Sequence, residues 1–162
     1  MGLLPDWIRT EVYHALSVHF PIAFLLLGTL LKLIAIFVKK QFLTSSGSLL
    51  LYLGTITAWI AIYTGDLADG RVSRSICDPT VLKSHENMAY YLAYIFSVAS
   101  ILDLSIISDK LPGFKKIWTA VVVTLMLIGS GMLTYMGDLG ASLVYQQAAG
   151  VSVPPADCKG FE

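Results

Sequence analysis

The chain carries three histidines in 162 residues, and they are the side chains whose type and placement admit chemistry. His14 and His19 stand at the mouth of one long apolar run, and His85 stands just ahead of another. Imidazole ligates metals as a neutral base and changes charge near neutral pH. Two imidazoles entering a helical bundle on facing helices, at similar depth, can supply axial ligands to a tetrapyrrole iron from either side. His14 and His19 are five residues apart, about 500° of helix rotation, so a helix presents them on different faces and one ligand per helix is expected. His19 with His85 is the preferred pair, leaving His14 for a haem propionate or a neighbouring carboxylate. The repeat described below favours His14 instead. Asp66, Glu86 and Asp138 are the carboxylates placed to orient or tune such ligands.

The elements that position these residues are membrane spans. From Phe20 to Val38 there is one charge, Lys32, and Pro21 falls in a first helical turn, where a missing donor is tolerated. Composition agrees: 56% of residues are apolar, 14% are charged and the mean hydropathy is +0.71. A bilayer core takes roughly 20 apolar residues per helix, which places four spans near 17–38, 47–64, 86–107 and 116–137. An outer loop at 65–85 and an outer tail at 138–162 complete a single membrane domain. The expected fold is an all-α membrane protein, a four-transmembrane-helix bundle inserted by its first span without a cleavable signal peptide. Zero formal net charge leaves no footprint for nucleic acid.

Lysines set the expected orientation. The two tight turns carry Lys39, Lys40, Lys110, Lys115 and Lys116, the pattern of cytoplasmic loops. Both termini and the long loop then lie in the periplasm, and the chain is a multi-pass protein of the bacterial inner (cytoplasmic) membrane. All three histidines fall on that outer side, as do both cysteines. Cys77 in the loop and Cys158 in the tail are expected to form a disulfide there.

An internal echo divides the chain. YTGDLADG at 63–70 returns as YMGDLGAS at 135–142, an offset of 72, and His85 follows His14 by 71. Each half reads histidine, span, lysine turn, span, Gly-Asp-Leu, which describes two duplicated helical hairpins about an axis along the membrane normal. Lys32 and Asp103 are the charges deep within spans, toward the cytoplasmic end: the preferred reading is that Lys32 snorkels and Asp103 bonds a neighbouring helix, the other an intramembrane ion pair or proton relay.

HALSVHFPIAF, the later His85 and the closing GDLGASLVYQQAAGV resemble a bacterial family of four-span predicted membrane proteins of unassigned function. Its members open with His-x4-His-Phe-Pro-Ile, and the resemblance covers Tyr13 to Val151. That family is grouped, by remote similarity, with four-helix membrane cytochromes of the b type, which implies one haem b and electron transfer. His19 and His85 match it directly, whereas Ala15 stands where a proline often follows the first histidine. The implied activity is electron transfer near the periplasmic face, exchanging with quinone in the bilayer or with a periplasmic cytochrome c. Two other classes fit the residues: a non-catalytic accessory subunit of a larger respiratory or photosynthetic complex, and a metal-binding protein using the histidines with Asp66, Glu86 or Asp138. The sequence has no nucleophile elbow, zincin helix or Cys-x-x-Cys-His haem attachment, so a subunit is favoured over a stand-alone enzyme.

Overall fold

Inside lipid a backbone must satisfy its own polar groups, which leaves the helix as the solution for isolated apolar runs of this length. The computed structural model describes residues 9–110 and 113–151, and its elements are α1 Thr10–Ser17, α2 His19–Val38, α3 Gln41–Val72, α4 Pro79–Ile107 and α5 Lys115–Gln147. The break between α1 and α2 has a local cause. Pro21 has no N–H to offer the carbonyl of Ser17, so the ladder is interrupted one turn upstream. The Ser17 hydroxyl bonds Thr64 Oγ1 at 2.8 Å, pinning the interruption to α3. Together α1 and α2 make one rod, giving four rods long and apolar enough to cross a membrane.

These rods run 29 to 33 residues, or about 45 Å, well beyond a hydrocarbon core of about 30 Å. The stretch expected as an outer loop at 65–85 is therefore mostly helix: α3 continues to Val72, α4 begins at Pro79, and residues 73–78 connect them. In the expected outer tail, α5 likewise continues to Gln147. These extensions are two-sided, burying Ala68, Val72 and Leu143 while turning polar residues outward. Asp78 starts α4 by accepting the Thr80 N–H at 2.9 Å and its hydroxyl at 2.6 Å, and these bonds hold the Asp78 carboxyl below its usual range. At the opposite end Lys39, in the left-handed region at φ 53°, closes α2 and lets Lys40 lead directly into α3.

The rods form a square in which α2 packs on α3, α3 on α4, α4 on α5 and α5 on α2. The pairs α2/α4 and α3/α5 are diagonal, so the spans bearing the histidines face each other across the core. Leu25, Leu51, Phe96 and Met126 fill its centre, while large apolar side chains such as Phe37, Phe42 and Ile101 point outward, where lipid would meet them.

Small residues let the helices of each pair close up. A Cβ at Gly54 would lie 2.6 Å from Leu25 Cγ, and one at Gly129 would lie 2.6 Å from Phe96 Cε2. Core polar groups are paired: Thr29 with Ser130 at 3.0 Å, Thr55 with Ser100 at 2.9 Å, and Lys32 with Asp103, whose second oxygen accepts from Tyr52 Oη at 2.9 Å. Among the described residues no buried side-chain polar atom lacks a partner. Gly54→Ala should cost about 1–3 kcal/mol by overpacking against Leu25. Gly131→Ala, where an added Cβ meets nothing within 4 Å, should leave the unfolding midpoint in detergent unchanged or slightly raised.

Candidate functional site

The helix extensions enclose a cavity of about 470 Å3 at the end of the bundle opposite the lysine turns. All five helices contribute to its wall, with Glu11 and His14 from α1, His19 and Ile22 from α2, and Ala61, Gly65 and Asp66 from α3. His85, Glu86 and Tyr90 come from α4, and Met136 and Gly140 from α5. The lining is mostly aliphatic, so the imidazoles are its distinctive chemistry.

His14 and His85 meet across this cavity, with ring centroids 6.4 Å apart and ring planes at 90°. Each ring is fastened in the same way. His14 Nδ1 lies 3.0 Å from the carbonyl of Ala61, and His85 Nδ1 lies 3.2 Å from the carbonyl of Met136. A carbonyl only accepts, so Nδ1 carries the proton on both rings and Nε2 keeps its lone pair. Neither Nε2 has a hydrogen-bond partner among the described residues.

Helix geometry explains why each ring fits. Four residues beyond each accepting carbonyl, on the same face, comes a glycine. A Cβ at Gly65 would lie 3.1 Å from His14 Cε1, and a Cβ at Gly140 would lie 3.3 Å from His85 Cε1. The packing of α1 on α3 supplies the rest, because it brings His14 to Ala61.

The other candidates are placed differently. His19, preferred from the sequence as the partner of His85, is exposed at the cavity edge, and the ring facing His85 is His14. Asp66 accepts from Tyr90 Oη at 2.9 Å, and Glu86 pairs with Lys83 at 2.9 Å. Asp138 is exposed and does not line the cavity. Among the described residues no three His, Cys, Asp or Glu side chains converge in a metal cluster, the arrangement that the His/Asp metal-binding reading requires. Cys77 is exposed in the α3–α4 connection, while Cys158 and the expected bridge between them lie outside the described residues.

Three features were not anticipated. The backbone carbonyls of Ala61 and Met136 leave no mark in a sequence. Gly140 was written in the YMGDLGAS echo, but aligning Asp66 with Asp138 matches Gly65 to Gly137. Glu11, buried at the cavity wall, accepts from Arg9 at 2.8 Å and from Arg71 at 3.3 Å. An acid next to an arginine at a helix start was the available signal.

Comparison with curated proteins and with solved structures returns no match in either. A family model described as "Predicted membrane protein (DUF2231)" matches residues 11–153, from Glu11 beside the cavity to just past α5. With nearly its whole length so matched, the chain belongs to this family of predicted membrane proteins.

Proposed function

We propose that the cavity is a site for one b-type haem, with His14 and His85 as its two axial ligands, and that the protein is an electron-transfer subunit of the membrane. The observation that carries this reading is the facing imidazole pair. Their ring centroids stand 6.4 Å apart across the cavity, so both imidazoles would be within reach of one iron. Both rings also donate Nδ1–H to a backbone carbonyl, the arrangement that fixes the tautomer of metal-bound histidine and raises its basicity. A volume of about 470 Å3 with aliphatic walls falls within the roughly 300–1,000 Å3 usual for cofactor pockets.

When bound, an iron tetrapyrrole supplies one-electron chemistry. His14 and His85 would hold the group, and Ile22, Leu92, Leu133 and Met136 would shield it from water. Asp66, held by Tyr90 Oη at 2.9 Å, is a carboxylate in the cavity wall that would favour the oxidised form of a bound iron. Lysine density supports a periplasmic position for this end, with the bacterial inner membrane as the setting. Quinone in the bilayer or a periplasmic cytochrome c are then the exchange partners within reach. Duplication of two hairpins is supported by the recurrence of the ring–carbonyl–glycine arrangement in each half.

Protein purified with haem supplied should show a Soret band and low-spin visible bands. His14→Ala and His85→Ala should each lower haem retention by more than about tenfold or convert the spectrum to high spin, while His19→Ala should keep the low-spin spectrum. An unchanged His14→Ala spectrum beside a lost His19→Ala spectrum would move the ligand to His19. Absence of a Soret band from the wild type would overturn the haem reading and leave the accessory-subunit role. For sidedness, a reporter fused after Glu162 should be active only outside the cytoplasm, and cytoplasmic activity would reverse the orientation.

A further inference from the structure

We infer that the buried Lys32–Asp103 ion pair selects which hairpins pair: it commits an α2–α3 hairpin to an α4–α5 hairpin and rejects pairing of either with its own counterpart in a second copy. The inference is independent of what the cavity binds.

The contacts obey a rule. Adding 71 to a position on α1 or α2, and 75 to a position on α3, converts contacts of the first hairpin into contacts of the second. His14 with the Ala61 carbonyl becomes His85 with that of Met136, and Leu25 against Gly54 becomes Phe96 against Gly129. Contacts between hairpins obey it as well: Thr29–Ser130 maps onto Ser100–Thr55. The offset rises between the helices because the linker of the second hairpin, residues 108–114, is longer than that of the first, residues 39–40. This is a two-fold relation. Two residue pairs join a position to its own equivalent and therefore straddle the axis: His14 with His85, and Lys32 with Asp103.

Such an arrangement has a hazard. Hairpins with equivalent faces can pair like with like, and most positions here tolerate it. Threonine opposite threonine still forms a hydroxyl bond, and histidine faces histidine in either case. The exception is the second axial pair. Like-with-like pairing would set Lys32 against a second Lys32, or Asp103 against a second Asp103, at positions only 4% and 5% exposed. Uncompensated charges at such depth are strongly disfavoured, so both wrong assemblies are penalised together. Tyr52 sharpens the choice, because both donors to Asp103 come from the α2–α3 hairpin and the equivalent of Tyr52 on α5 is Leu127.

The test uses the full-length chain in detergent micelles, reading protein mass per particle and unfolding midpoint. Wild type and the exchange variant Lys32→Asp/Asp103→Lys should both be single chains, the exchange variant melting slightly lower because Tyr52 then faces an ammonium. Lys32→Asp and Asp103→Lys alone should aggregate or fall at least tenfold in recovery. The apolar variant Lys32→Leu/Asp103→Leu should fold yet contain multi-chain particles, an outcome that a purely stabilising pair would not give. Single variants with wild-type mass and midpoint, an exchange variant no better than the singles, or an apolar variant that stays wholly single-chain would each overturn the inference. None of these readouts depends on haem.

Discussion

A polar group within a bilayer has only protein to bond, because the hydrocarbon offers neither donors nor acceptors. Each buried polar side chain in this bundle is arranged accordingly. Thr29 and Thr55 bond the carbonyls one turn back, at Leu25 and Leu51, and then reach Ser130 and Ser100 on another helix. Lys32, Asp103 and Tyr52 close on one another. Since lipid tails are as apolar as leucine, burial alone does little to hold transmembrane helices together. Close contact at Gly54 and Gly129 and this set of polar pairs give the four rods a defined arrangement.

The same constraint acts in reverse at the cavity. Two imidazoles turned into an aliphatic pocket need partners, and each has one for Nδ1, a backbone carbonyl of the helix beside it. Their Nε2 atoms have none among the described residues, and this unfilled valence gives the site its chemical character. A carbonyl in a helix is normally spent on the N–H four residues on, so Ala61 and Met136 each use a second lone pair for the ring. Gly65 and Gly140 then keep the face above each carbonyl open.

Much of this was legible in the sequence. The four spans follow from hydropathy, and the collection of His14, His85, Asp66 and Glu86 at one end follows from counting crossings. Lys32 and Asp103 were legible as charges of similar depth, but their pairing was not, because depth alone also allows Lys32 to snorkel. Helix ends were not legible, because beyond Gly65 and before His85 the chain becomes polar on one side only, and a hydropathy window averages both sides. The choice between His14 and His19 was open for a related reason. A rotation of about 500° separates their faces without saying which face looks inward. The answer depends on how α1 lies against α3, a tertiary contact. The echo of Gly-Asp-Leu was read at an offset of 72, whereas the contacts recur at 75, nearly one helical turn away. Asp66 consequently lines the cavity and Asp138 does not.

The 90° angle between the two rings is a property that coordination would preserve and that spectroscopy can read. Iron(III) held between two imidazoles with crossed planes gives a highly anisotropic low-spin electron paramagnetic resonance signal, distinct from the rhombic signal of parallel rings. Frozen, oxidised protein purified with haem supplied should show the anisotropic signal, and His14→Ala should abolish it. A high-spin signal or no haem signal at all would contradict ligation by His14 and His85, and a parallel-ring signal would contradict the crossed arrangement of their planes.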